Sequence, residues 1–214
     1  MLRYLYGAEL EQFPQLRDTM FRDRADQFHR RLGWDVNVDA RGWEVDQYDA
    51  LNPLYVIWQG PDGRHGGSAR FLPTTGQTMV NDHFTHLSAG VAFCSPFIWE
   101  CTRFCLAPGA GGRVAAALML GGGEIMRAHG IDHFVGVFDA PMLRVYRVTG
   151  AAPDVLGQSG TGRSAIGLGL WTYDPHARAR LLHRAGVSSD LSDHWFQRAF
   201  GHQAAPPQAL RKAG

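Results

Sequence analysis

The sequence predicts an α/β domain, a three-layer α/β/α sandwich around a mixed central sheet. Three observations lead there. Short apolar runs rich in β-branched and aromatic residues recur between segments whose apolar residues keep helical spacing, the pattern of helices layered on a sheet. Two of these runs flank Pro61-Asp62-Gly63, a hairpin signal that forces an antiparallel pair and excludes a purely parallel sheet. At 214 residues the chain can bury one proper core. Residues 1–201 are expected to form a single domain, and residues 202–214, with Pro206-Pro207, a flexible tail.

Residues 2–6 read as a first strand. Leu10, Phe13, Leu16, Met20, Phe21, Phe28 and Leu32 keep helical spacing, so residues 9–32 are expected to be helical, with Pro14 breaking the first turns and Gly33 ending the segment. Residues 35–51 form an Asp-rich polar loop. Residues 55–59 and 67–72 make the hairpin, and residues 75–88 are turn-rich. Residues 91–106 are an apolar run expected to be a buried strand. Helices are expected at 113–129, 141–149, 175–185 and 188–200, and strands at 131–138 and 164–173. This order resembles that of acyltransferases of the N-acetyltransferase superfamily.

Hydrophobic residues make up 45% of the chain and charged residues 19%, which describes a folded globular protein and not a disordered one. No apolar stretch reaches the roughly 18 residues of a membrane span, and residues 1–6 are too short and polar for a secretory signal. A cytoplasmic protein is expected. Cys94, Cys101 and Cys105 are odd in number and lack paired CxxC spacing, so they are expected to be reduced, buried thiols. His83 with His86, and His129 with His133, lack the further ligands of a zinc site and read as surface or loop histidines; no metal is expected. The net charge of +1 hides an asymmetry. Residues 1–100 carry 9 basic and 13 acidic residues, and residues 101–214 carry 12 basic and 7 acidic. Arg144, Arg147, Arg178, Arg180 and Arg184 in the basic half are either a solvated surface or a dock for an acidic partner. Near-neutral overall charge and the lack of a binding motif argue against nucleic acid.

Two groups of residues point to chemistry. Glu100 and Arg103 stand three apart inside the apolar run, where an unpartnered charge costs several kcal/mol, roughly, even after relaxation. Arg24 and Phe28 share one helix face, Trp34 follows the helix end, and Glu44, Asp46 and Asp49 lie in the loop beyond. An aromatic wall beside acids and an arginine suits a ligand with a flat ring, a cation and a carboxylate. S-adenosylmethionine has all three; a core aromatic pair among solvated charges is the competing account. Gly109, Gly111 and Gly112 before the 113–129 helix offer free N–H groups to a phosphate or pantetheine, or form a simple loop. Gly121-Gly122-Gly123 inside that helix allow close packing or leave a ligand groove.

Arg24, Phe28, Trp34, Asp46, Asp49, Arg70, Phe84, Glu100 and Arg103, in this order and spacing, resemble the signature set of acyl-homoserine-lactone synthases, the autoinducer synthases of quorum sensing. The resemblance extends to about residue 173. It implies an acyltransferase that joins S-adenosylmethionine to an acyl thioester, supplied by acylated acyl carrier protein or acyl-coenzyme A. Methylthioadenosine is released, and no cofactor is needed because S-adenosylmethionine is itself a substrate. Glu100, Asp46 and Arg70 would be the catalytic set, with Glu100 the proton acceptor or the organiser of a water that accepts, and Asp46 the runner-up. Arg24, Phe28, Trp34, Asp46, Asp49, Phe84 and Arg103 would bind S-adenosylmethionine, Arg103 at its carboxylate. Trp99, Thr102, Met119, Gly136, Phe138 and Leu143 would line the acyl pocket, and the five arginines would dock the carrier. Thr102 and Arg103 face opposite sides of a regular strand, so both can line one site only if a bulge intervenes. Gly136 stands where family members favouring 3-oxo chains tend to carry threonine, which implies an unsubstituted or 3-hydroxy chain of medium to long length; the alternative is that Gly136 merely allows close packing.

Other classes stay in play on the residues alone. An N-acetyltransferase-like enzyme using acyl-coenzyme A and another amine would share the fold without a reason for the Arg24–Trp34–Asp46 group. A methyltransferase would want a glycine-rich loop after its first strand, which Gly7-Ala8-Glu9 does not supply. A ligand-binding module would have no use for Glu100.

Overall fold

Strand alternation decides which residues meet the helices on each side of the sheet. The computed structural model describes residues 1–201; the expected flexible tail, residues 202–214, lies outside the described residues. Seven strands form one sheet in the order β1-β2-β3-β4-β5-β7-β6. They are β1 (Leu2–Tyr6), β2 (Leu54–Gln59), β3 (His65–Pro73), β4 (Ile98–Leu106), β5 (His133–Asp139), β6 (Asp154–Ser159) and β7 (Ile166–Thr172). All neighbours are antiparallel except β4 and β5. The sheet is mixed, as the hairpin signal requires.

On one face, Leu54, Val56, Ala69 and Phe71 pack against α3 (Gly112–His129), α5 (Pro175–Ala185) and α6 (Ser189–Phe200). On the other, Tyr55 and Ile57 meet Leu16, Met20 and Phe21 of α1 (Pro14–Arg24), while Val135 and Leu168 meet Val80 of α2 (Met79–His83). The helix between β5 and β6 is α4 (Ala140–Thr149). This is the expected three-layer arrangement.

The segment 9–32 is not one regular helix. A 3-10 turn, Gly7–Gln12, precedes Pro14 at the first turn of α1, and a π-helical turn, Ala25–Arg31, follows it. Gly33, at φ +67°, closes the segment and donates to the His29 carbonyl. The apolar run 91–106 yields a shorter strand than expected. Pro96 has no N–H to give a ladder, and Ser95 and Ile98 instead present carbonyls to Thr74, so β4 begins at Ile98. β6 was not anticipated at all. It is an edge strand, mostly exposed, whose sequence Asp-Val-Leu-Gly-Gln-Ser lacks the burial that makes strands visible. Cys94 is exposed, contrary to expectation, because the loop before β4 carries it; Cys101 is half-buried and Cys105 buried.

Two irregularities position the site. Pairing between β4 and β5 covers Ile98–Glu100 against His133–Val135 and then ends, although both strands run on. In addition, Ser68 pairs with Cys105 but Arg70 with Thr102, so Arg103 and Phe104 together oppose Ala69. Arg103 adopts φ +51° there, a conformation that non-glycine residues rarely take outside turns and bulges.

Candidate active site

The bulge answers the question posed by adjacent Thr102 and Arg103. Thr102 Oγ1 accepts from Arg70 Nε at 3.0 Å, and Arg103 Nη2 lies 2.8 Å from Asp46, which is itself bound to Arg70. Both side chains therefore serve one site.

That site is a closed ring of alternating charges. Arg24 bonds Glu44 and Asp49. Arg70 bonds Asp49 and Asp46. Arg103 bonds Asp46 and Glu44. Each acid joins two arginines and each arginine two acids. Arg24, Arg70 and Glu44 have no exposed surface, so each charge there depends on its partners. Burial alone would raise the Asp49 carboxyl, but the Arg24 and Arg70 guanidiniums outweigh it and hold the group well below the usual carboxylate range. Burial likewise opposes charge on Arg24 and Arg70, and the surrounding carboxylates overcome it in the same way. Local structure presents these acids. Asp46 caps the 3-10 turn Gln47–Leu51 by accepting from the N–H groups of Tyr48 and Asp49, and Tyr55 donates to Asp49 at 2.5 Å.

The π turn places Phe28, buried, under Trp34, with the rings stacked 5.2 Å apart and Arg103 over the Phe28 face. Trp34 is 38% exposed, a large flat surface left open. It borders a cavity of about 680 Å³ together with Asp46, His83, Phe84 and Arg103. A second cavity of about 500 Å³ lies on the other side, between α3, β4, β7 and α5, lined largely by apolar side chains. Both volumes fall in the small-molecule range of roughly 300–1,000 Å³. Arg103 and Val137 line both cavities.

Glu100 sits apart. Its carboxylate accepts from the N–H groups of Met79 and Val80, capping the start of α2, and it lines neither cavity. Burial raises its pKa to about 7, although those two N–H groups pull the other way. It forms no salt bridge among the described residues, unlike Glu44, Asp46 and Asp49.

The structure divides the expected acyl-pocket residues. Thr102 and Met119 line the apolar cavity. Trp99 does not; its indole donates towards Pro96 and its ring packs on the core. Leu143 and Gly136 do not line it either, and Phe138 borders the other cavity. A Cβ on Gly136 would lie 2.6 Å from the Cys101 carbonyl, so close approach of β5 to β4 accounts for this glycine. Tyr146, Trp171 and Leu181 line the apolar cavity instead; the sequence marks them only as ordinary core.

Of the expected docking residues, Arg144, Arg147, Arg180 and Arg184 are exposed, and Arg147 and Arg180 border the apolar cavity. Arg178 is engaged internally by Glu124, Ser189 and Asp193, tying α5 to α3 and α6. Gly109, Gly111 and Gly112 border neither cavity. Glu44, in sequence only one more loop carboxylate, is a full member of the ring. It stands two before Asp46 in the same acidic stretch, and its full burial is visible only in three dimensions. His83, expected as a surface or loop histidine, stands edge-on to Tyr48 and lines the cavity beside Trp34.

Residues 9–181 match the model of the autoinducer synthase family. The chain belongs to that family. It is 43% identical over 178 residues to the acyl-homoserine-lactone synthase of Rhizobium etli, covering 80% of this chain and 84% of the relative. It is 31% identical over 181 residues to that of Pseudomonas chlororaphis, covering 83% and 91%. Among solved structures, the synthase LasI superposes with a TM-score of 0.74 at 27% identity, covering 86% of this chain and 94% of that one. A coenzyme-A-dependent acyl-homoserine lactone synthase, BjaI, solved with S-adenosylmethionine and isopentyl-coenzyme A, gives 0.77 at 23% identity over 88% and 90%. An acyl-coenzyme A N-acyltransferase from Pseudomonas aeruginosa gives 0.54 at 14% identity over 78% and 97%, a likeness of fold alone. The family member described here is thus an acyltransferase with an N-acetyltransferase-like fold, and its family makes quorum-sensing signals. Among the described residues, no helix is long and apolar enough to cross a membrane, and no group of three or more His, Cys, Asp or Glu could hold a metal ion.

Proposed function

We propose that S-adenosylmethionine occupies the cavity beside Trp34 and the acyl thioester occupies the apolar cavity, with the two reacting where the cavities meet. The single observation that carries this reading is the shared wall, Arg103 and Val137. The adenine would lie on the open Trp34 face, the carboxylate on the Arg103 guanidinium, and the ammonium against Asp46. Arg24, Asp49 and Arg70 hold these groups through the ring, and Phe28 and Phe84 shape the apolar walls.

The ammonium must lose a proton before it can attack. Glu44, Asp46 and Asp49 are each engaged by two guanidiniums, and Asp49 is held well below the usual carboxylate range by Arg24 and Arg70. Among the described residues Glu100 carries no ion pair, and its pKa of about 7 suits a base working near neutral pH. Since it borders neither cavity, its reach to the amine runs through a water. The freed amine attacks the thioester carbonyl, the C–S bond breaks, and the carrier thiol leaves with a proton. The methionyl carboxylate then displaces the sulfonium, closing the lactone and releasing methylthioadenosine. This sequence needs only the two substrates and ordinary acid–base groups, so no cofactor enters it. Both substrates are cytoplasmic, and the reaction is assigned to that compartment.

For the donor we favour acylated acyl carrier protein. Arg147 and Arg180 border the apolar cavity, Arg144 and Arg184 are exposed on the same two helices, and an acidic carrier matches them. The coenzyme-A-dependent relative makes acyl-coenzyme A the competing donor.

Calorimetry on paired variants tests the two assignments. Trp34→Ala is expected to weaken S-adenosylmethionine binding and spare the acyl thioester; Met119→Trp is expected to do the reverse. Loss of both ligands in both variants, or the opposite pairing, would refute the placement.

A further inference from the structure

Three consecutive glycines in the middle of a helix are unfavourable, since glycine surrenders the most backbone freedom there. In α3, packing explains two of them. A Cβ on Gly121 would lie 2.5 Å from Val56 Cγ1, and one on Gly122 would lie 3.3 Å from Phe134 Cε2 and 3.5 Å from Phe71 Cζ. Gly123 is different: a Cβ there would meet nothing within 4 Å. Its φ is not in the left-handed region, so backbone geometry does not demand glycine either.

What lies in front of Gly123 is the apolar cavity. Met119, Gly122, Gly123 and Met126 recur at the spacing of one helix face, and all four line that cavity. A Cβ at 123 would project into open volume without meeting a neighbour. Two flexible thioether chains flank the gap, and such chains adapt to ligands of varied shape.

We infer that Gly123 is a specificity-determining residue that sets how long an acyl chain the enzyme accepts, by leaving unfilled the volume that a side chain would take from the chain's distal methylenes. The inference rests on the reading of the apolar cavity as the acyl site. It makes long, flexible acyl groups the preferred substrate class.

The test compares kcat/KM for dodecanoyl and butanoyl thioesters of one carrier in wild type, Gly123→Leu, Gly123→Ala and Met119→Trp. Wild type is expected to favour dodecanoyl. Gly123→Leu is expected to lower the dodecanoyl-to-butanoyl ratio at least about tenfold, the scale of discrimination by a filled apolar pocket, while butanoyl turnover persists. Gly123→Ala, which favours the helix, is expected to lower the ratio about threefold, one methyl's worth of displaced apolar volume. It decides the matter if the leucine variant fails to fold. A wild-type ratio in the Gly123 variants with a lowered ratio in Met119→Trp overturns the role of Gly123 and keeps the acyl site. Wild-type ratios in all three overturn the acyl site itself. A wild type that takes both donors equally well overturns the inference directly.

Discussion

One carboxylate oxygen of Glu44 bonds Arg103 at 2.9 Å, reaching from the loop after the π turn to the bulge of β4. The other oxygen bonds Arg24 at 2.6 Å. Glu44 is therefore the joint between the helical side of the ring and the residue assigned to the S-adenosylmethionine carboxylate. A salt bridge this deep is weak evidence for stability as such, because desolvation offsets much of the attraction. What it fixes is where the Arg103 guanidinium points.

Removing one partner is another matter. Glu44→Gln leaves Arg24 and Arg103 with an unbalanced positive charge, and breaking a buried pair costs roughly 3–5 kcal/mol. Urea unfolding is expected to show that loss, and the surviving folded enzyme to show a raised KM for S-adenosylmethionine. An unchanged midpoint would mean that the ring is not a unit.

Glu100 carries a pH signature. Its folded pKa of about 7 lies above the ordinary value of 4.5, so the folded state binds more protons than the unfolded state between those limits. Its contribution to stability is full below about pH 4.5 and is lost as pH rises through 7. Activity should move the other way, rising through pH 7 as the base ionises. Glu100→Gln is expected to flatten the stability slope and to lower turnover about a hundredfold or more. Wild-type turnover in that variant would remove Glu100 from the proton transfer.

The carrier surface can be probed by charge reversal. Arg147→Glu is expected to raise KM for acylated carrier protein with little effect on a small thioester mimic, and added salt should mimic the substitution because exposed pairs are screened beyond roughly 8 Å at physiological ionic strength. Insensitivity to both points to acyl-coenzyme A as the donor.

The resemblance to the family's signature set makes most of this site legible: Arg24, Phe28, Trp34, Asp46, Asp49, Arg70 and Arg103 meet in space, whereas helix spacing alone groups only Arg24 with Phe28. Three features stay hidden for physical reasons. The bulge at Arg103 depends on register with β3, which local pattern does not encode. Burial of Glu44 depends on where two distant arginines converge. β6 is exposed, and its adjacent Val155 and Leu156 lack the alternation that a half-buried strand carries. Of the residues expected around the acyl chain, Thr102 and Met119 line the apolar cavity while Gly136 and Phe138 on β5 and Leu143 on α4 do not, because element position in the sequence does not show where a cavity opens.

Gly136 lines neither cavity, and a Cβ there would lie 2.6 Å from the Cys101 carbonyl, so packing accounts for this glycine and the expected acyl chain stands on the family resemblance. Mass spectrometry of lactones made by a host expressing the protein is expected to show unsubstituted or 3-hydroxy chains of medium to long length. A dominant 3-oxo product would contradict this.

The central claim is that Arg103, turned into the site by the bulge, joins the two substrates at the wall between their cavities. Steady-state kinetics on Arg103→Ala, with N-acyl-homoserine lactone and methylthioadenosine quantified together, tests it most directly. The account predicts equal amounts of both products from wild type, and in the variant a KM for S-adenosylmethionine raised at least about tenfold, the loss of one charge-assisted contact, with KM for the acyl thioester little changed. Wild-type affinity for S-adenosylmethionine in Arg103→Ala, or lactone formed without methylthioadenosine, would contradict it.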